Sequence, residues 1–114
     1  MEVTIYHNPS CSNSRKALEI IRGKGIEPHI VEYLRPPLTP AKLRHLIHDQ
    51  MKARVVDVIR THEPVYAEMG LDGRDDDCLL AAMSAHPILM NRPIVVTPKG
   101  AMLCRPGETV TSLL

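Results

Sequence analysis

One cysteine, one histidine and three arginines in this sequence can do chemistry together: Cys11, His7, Arg60, Arg92 and Arg105. Cys11 follows a short apolar strand pattern (Val3, Ile5) and the break Asn8-Pro9. It comes just before a helical pattern carrying Ala17, Leu18 and Ile21. Strand, turn, cysteine, helix puts a sulfur at a helix N-terminus, where unpaired N–H groups and the helix dipole favour a negative charge. A thiolate held that way is a nucleophile, and His7 adds positive charge nearby when protonated. Arg92 precedes Pro93 and Arg105 precedes Pro106, so both belong to extended backbone rather than helix. Arg60 closes a helical run before Pro64. Guanidinium groups are planar forks of donors matched to tetrahedral oxyanions. The set suits attack on the central atom of an oxyanion, or redox exchange with an anionic thiol. The plainer readings are an inert buried thiol and three separate surface charges, and whether the arginines converge on Cys11 is a question for the fold.

The elements that must position these residues follow from periodicity. Met1 to Tyr6 predicts the first strand. Ser12 to Arg22 predicts a helix with Ser10, Ser12 or Asn13 at its cap, ended by Gly23 and Gly25. Ile26 to Leu34 predicts a second strand, and a β-α-β unit of this length implies two parallel strands with a right-handed crossover. Thr39-Pro40 opens a helix carrying Leu43, Leu46 and Ile47. A further helical run carries Val55, Val56 and Ile59. Asp75 to His86 is expected to be a helix with Cys78, Leu79, Ala82 and Met83 on its apolar side. After Pro87, Ile94 to Thr97 and Ala101 to Cys104 read as a hairpin across Pro98-Lys99-Gly100. Pro106-Gly107-Glu108 leads a last short helix to Leu114. The order is β-α-β, helices, β-β-α: an α/β, thioredoxin-like mixed sheet of about four strands. A helical insertion at about 39–86 separates the two halves within one domain, 1–114.

Composition narrows the function. Hydrophobic residues make up 44% of the 114, with no Phe, no Trp and three Tyr, so the core is aliphatic. A net charge of +1 argues against a dedicated nucleic-acid surface. No stretch approaches the roughly 18 apolar residues of a membrane span. Met1-Glu2-Val3-Thr4 has neither the basic start nor the apolar run of a signal peptide. The three cysteines, 11, 78 and 104, form neither a disulfide set nor a metal pair, and the six histidines show no ligand spacing. No metal and no bound cofactor are therefore expected, and a reducing cytoplasm is the expected location. Cys78 and Cys104 read as packing residues. Arg15, Arg22 and Arg35 read as solvated, and Met51, Met69, Met83, Met90 and Met102 as fillers of the core.

His7-Asn8-Pro9-Ser10-Cys11-Ser12-Asn13-Ser14-Arg15 resembles the active-site loop of the glutaredoxin-coupled arsenate reductases. Residues 86–106, HPILMNRPIVVTPKGAMLCRP, are similar to that family's second conserved block, and Val58-Ile59-Arg60, Glu63-Pro64 and Glu68-Met69-Gly70-Leu71 resemble its middle. The resemblance runs from end to end, with a C-terminus that looks short beside longer members. It implies that Cys11 attacks arsenate, that Arg60, Arg92 and Arg105 bind the oxyanion, that His7 promotes the thiolate and that Ser14 hydrogen-bonds it. It further implies glutathione as co-substrate, glutaredoxin as the protein that reduces the Cys11–glutathione disulfide, and a cis peptide at Arg92-Pro93. Two other cysteine chemistries fail on the sequence. The phosphatase-like C-x5-R pattern needs Arg at position 17, which is Ala; the C-x-x-C pattern of redox regulators needs Cys at position 14, which is Ser. With no local partner for Cys11, an external thiol must finish the reaction. The alternatives to carry are a glutathione-linked thiol reductase with another substrate, and a redox-sensing regulator that binds a protein partner.

Overall fold

Alternation at Val3 and Ile5 produces β1, Thr4–Tyr6, in the computed structural model, which describes residues 1–114. The chain divides into two units: Met1–Tyr33 with Arg92–Leu114, and Leu34–Asn91.

The first unit is built on a four-stranded mixed sheet of order β2-β1-β3-β4. After β1 comes the helix α1, Ser12–Gly23, then β2, His29–Val31, parallel to β1. β2 is shorter than the expected Ile26–Leu34, because Pro28 has no N–H to donate and β1 offers three residues to pair with. β3, Ile94–Thr97, runs antiparallel to β1, and β4, Gly100–Leu103, returns antiparallel to β3. The expected end of β4 at Cys104 moves to Leu103, although the Cys104 N–H still donates to the Pro93 carbonyl at 2.8 Å. Val3, Ile5, Ala17, Ile21, Val95, Cys104, Val110 and Leu113 form one buried cluster between sheet, α1 and the chain end. Each fully buried aliphatic side chain of this size contributes about 1.5–3 kcal/mol relative to exposure. The last helix, Gly107–Leu113, is 3-10 throughout. The hydroxyls of Thr109, Thr111 and Ser112 each bond the carbonyl three residues back, at 2.7, 2.9 and 2.9 Å, which favours the tighter winding over α.

The second unit is helical. α2, Pro40–Arg44, starts as expected, with Thr39 Oγ1 accepting from the Lys42 N–H at 3.2 Å, and continues as a π-helical stretch, His45–Gln50. A 3-10 turn, Val55–Asp57, replaces the helix expected across Val55, Val56 and Ile59. Ile59 instead bridges Met90 antiparallel, and Val56 is exposed; four β-branched side chains in five residues, Val55, Val56, Val58 and Ile59, disfavour a continuous α-helix. α3, Pro64–Glu68, is followed by α4, Asp76–Ala85, whose N-cap Asp75 accepts from the Cys78 N–H at 2.9 Å. Leu79, Leu80, Ala82 and Met83 are buried on α4, whereas Cys78, expected in the core, is only half-buried in the first turn. Met69 is likewise exposed rather than core. Arg44 pairs with Asp77, and His48 with Asp76, tying α2 and the π-helical stretch to the start of α4. No helix is long and apolar enough to cross a membrane.

Candidate active site

The loop after β1 is organised by Asn8, a buried residue that sequence reasoning passed over. Its side-chain Oδ1 accepts from the Ser10 N–H at 3.0 Å, its carbonyl accepts from the Cys11 N–H at 3.0 Å, and its own N–H donates to Ser14 Oγ at 3.0 Å. The first of these is an Asx turn, and Asn before Pro is the sequence signal that announces one. Three bonds from one residue thus bend the chain so that Cys11 arrives at the start of α1.

Cys11 itself is the N-cap of α1, with extended backbone (φ −96°, ψ 122°), in place of the Ser or Asn expected there. An N-cap side chain faces the N–H groups two and three residues on. Here those belong to Asn13 and Ser14, and both lower the pKa of the thiol. Burial alone raises that pKa. The Ser14 N–H, a hydrogen bond from the Arg92 side chain, the Asn13 N–H and the Arg92 charge together outweigh burial, so the thiol titrates below its ordinary value. Arg105 adds a fourth group, its Nη1 lying 3.7 Å from Cys11 Sγ.

Both arginines arrive by way of the β3–β4 hairpin. Ile94 pairs with Leu103, and the next rung is the Cys104 N–H to the Pro93 carbonyl. One more step along that register sets Arg92 opposite Arg105. The peptides Arg92-Pro93 and Arg105-Pro106 are both cis, as is Arg35-Pro36; the resemblance implied the first of these alone.

His7 and Ser14 stand close to Cys11 but do something other than expected. His7 is buried, and burial pushes its pKa below the ordinary 6.5, against a smaller upward pull from Glu32. It is neutral at neutral pH and supplies no cation. Its Nδ1 shares a 2.6 Å hydrogen bond with Ser14 Oγ. The Ser14 hydroxyl is thereby held by His7 and by the Asn8 N–H, and it is the backbone N–H of Ser14 that lowers the pKa of the Cys11 thiol. Arg60 belongs to the second unit, where its Nε donates to Glu63 at 3.0 Å and its Nη1 to Asn91 Oδ1 at 3.3 Å. Cys104 is fully buried beneath the sheet and its thiol is pushed up to about 11, so it stays protonated.

A mixed sheet of this order, with a cysteine of lowered pKa capping the helix after its first strand, defines a thioredoxin-like protein. The ArsC family model matches residues 6–113, and the chain belongs to that family. It is 50% identical over 114 residues to an arsenate reductase of Escherichia coli strain K12, covering 98% of this chain and 80% of that protein. An arsenate reductase of Neisseria meningitidis is 36% identical over 115 residues, with 99% and 98% covered. The solved structure of an arsenate reductase from Vibrio cholerae matches with a TM-score of 0.93 at 39% identity, covering 100% of this chain and 98% of that one.

Proposed function

We propose that this chain is an arsenate reductase in which Cys11 is the nucleophile. The observation that carries the reading is the pair of guanidinium groups on one sulfur: Arg105 Nη1 at 3.7 Å and the Arg92 side chain hydrogen-bonded to it. A thiolate and a doubly charged oxyanion repel each other, and two guanidinium groups beside the sulfur neutralise that repulsion while gripping the oxygens. The Cys11 thiolate attacks arsenic, one oxygen departs as water with a solvent proton, and a sulfur–arsenic bond forms. Glutathione then attacks the Cys11 sulfur. A sulfur–sulfur bond forms, the electron pair of the sulfur–arsenic bond stays with arsenic, and arsenite leaves. Glutaredoxin reduces the remaining Cys11–glutathione disulfide. No bound cofactor takes part, and a reducing cytoplasm supplies the thiols.

In this reading His7 and Ser14 act through the loop. Their mutual hydrogen bond fixes Ser14 in the first turn of the helix that Cys11 caps, and it does so with His7 neutral. Arg60 is carried as an oxyanion ligand on the family resemblance. Glutathione and glutaredoxin rest on that resemblance and on Ser at position 14, which leaves Cys11 without a neighbouring thiol to resolve it.

The test is arsenite formation from arsenate with glutathione, with and without glutaredoxin. Turnover that needs both thiol components is expected. No arsenite under the complete conditions, with Cys11 intact and reduced, overturns the assignment. Turnover by glutathione alone, unaffected by glutaredoxin, removes the protein partner. An increase in KM on Arg60→Ala checks the role carried for that residue.

A further inference from the structure

Arg105 is an exposed side chain whose guanidinium is braced on the Arg92 carbonyl at 2.9 Å, and that brace holds it against the sulfur while its own backbone is anchored close by. On one side the anchor is the hairpin rung from the Cys104 N–H to Pro93. On the other side lies Gly107, which is buried against the first turns of α1. A Cβ built on Gly107 would meet the Asn13 carbonyl oxygen at 2.5 Å, Lys16 Cβ at 2.9 Å and the Ala17 nitrogen at 3.0 Å. Two of those three atoms are helix backbone and cannot swing aside. The Gly107 backbone lies outside the left-handed region, so its glycine is explained by this close approach. At the same place the Gly107 N–H donates to Asn13 Oδ1 at 3.3 Å, across 94 positions of sequence. Asn13 is the second residue of the helix that Cys11 caps, and its own N–H faces the sulfur.

We infer that the seating of Gly107 on α1, latched by the Asn13 side chain, is what sets Arg105 against Cys11, making Asn13 and Gly107 positioning residues for the nucleophile. The chain turns from Arg105 to Gly107 within two residues, so a displacement of Gly107 off the helix carries the Arg105 backbone with it. A contact of 3.7 Å to sulfur is lost on a movement of about an ångström, since hydrogen bonds weaken steeply with distance and angle. The inference deepens the proposed function, because it concerns how the same thiol is served, but its first readout needs no arsenate.

That readout is the titration of Cys11, followed by thiolate ultraviolet absorbance and by the pH dependence of its alkylation with iodoacetamide in the purified chain. Gly107→Ala is expected to raise the Cys11 titration midpoint by about one unit, a tenfold loss of thiolate below the midpoint. Asn13→Ala should move it the same way by less, since it removes the latch and leaves the backbone N–H in place. Ile21→Val, in the same buried cluster, is the control for stability: it lowers the melting temperature while the titration stays where it was. In an Arg105→Gln background, Gly107→Ala should add nothing, because its effect passes through the guanidinium. A Gly107→Ala protein that is folded and titrates like the wild type overturns the inference, as does an equal shift in Ile21→Val. Absence of arsenate turnover in the wild type together with the expected shifts would sink the functional assignment and leave the latch standing.

Discussion

The Arg105 guanidinium donates to the backbone carbonyl of Arg92 at 2.9 Å, and the same nitrogen lies 3.7 Å from Cys11 Sγ. One arginine is therefore braced on the backbone of the other while both side chains serve one sulfur. Two cations so close repel each other. A carbonyl dipole offsets that repulsion, as does the Cys11 sulfur when ionised, and an arriving oxyanion offsets it further.

Replacing either guanidinium by an ammonium removes the fork while keeping the charge. Arg92→Lys and Arg105→Lys should each raise KM for arsenate by roughly 10- to 100-fold, the equivalent of losing a charge-assisted hydrogen bond of about 1.5–3 kcal/mol. Steady-state kinetics with varied arsenate measure this. Unchanged KM in both proteins removes the two side chains from the anion site.

Cys11→Ser should abolish turnover and leave the fold in place. Serine is among the preferred N-cap residues, so the change at this position should alter stability by about 1 kcal/mol or less. Thermal unfolding and activity of one preparation check both halves. A folded Ser variant with substantial turnover takes Cys11 out of the mechanism.

Two pH dependences of opposite origin follow from the site. The Cys11 thiol titrates below its ordinary 9.0, so its alkylation rate should reach half-maximum below that pH. Its folded-state pKa being depressed, its contribution to stability is fully present above pH 9.0 and is lost as pH falls through the folded value. His7 is buried neutral with its pKa lowered from 6.5, so the unfolded chain binds its proton more readily than the folded one. Stability should therefore decline as pH drops below 6.5, and His7→Gln should flatten that acid limb. Urea unfolding midpoints across the pH range distinguish the two. An identical acid limb in His7→Gln assigns the decline to other groups.

Cys104 is buried with its thiol near 11, Cys78 is half-buried, and Cys11 is acidified. Native-state alkylation followed by mass spectrometry should modify Cys11 first and Cys104 only on unfolding. Cys104→Ala should keep full turnover. Rapid labelling of Cys104 in the folded protein contradicts its place in the core.

Much of this was legible in the sequence. Thr39-Pro40 and Asp75 announce helix starts through local capping chemistry. Val3 and Ile5, and the β-branched run at Ile94, announce strands through alternation and side-chain shape. What was not legible depends on long-range placement. His7 looks like a cation in the sequence, and only its burial makes it neutral. Ser14 looks like a hydroxyl donor to the sulfur, yet its hydroxyl is held by His7 and Asn8, residues whose geometry depends on an Asx turn. Nothing in the sequence pairs Asn13 with Gly107 until the fold brings them together across 94 positions. The run at Val55 misled because helical spacing and β-branched stiffness disagree there, and the pairing of Ile59 with Met90 decided for extended backbone.

Because Cys11 occupies the capping position of α1, whatever steadies its charge when it attacks also steadies that charge when it departs. In the closing thiol exchange, the sulfur with the more stable anion is the better leaving group. An incoming thiolate that strikes the glutathione side of the mixed disulfide would expel Cys11 back onto the waiting amides and guanidinium groups. In the proposed mechanism, the interactions that prepare the thiolate would thus also favour its release when the enzyme is regenerated.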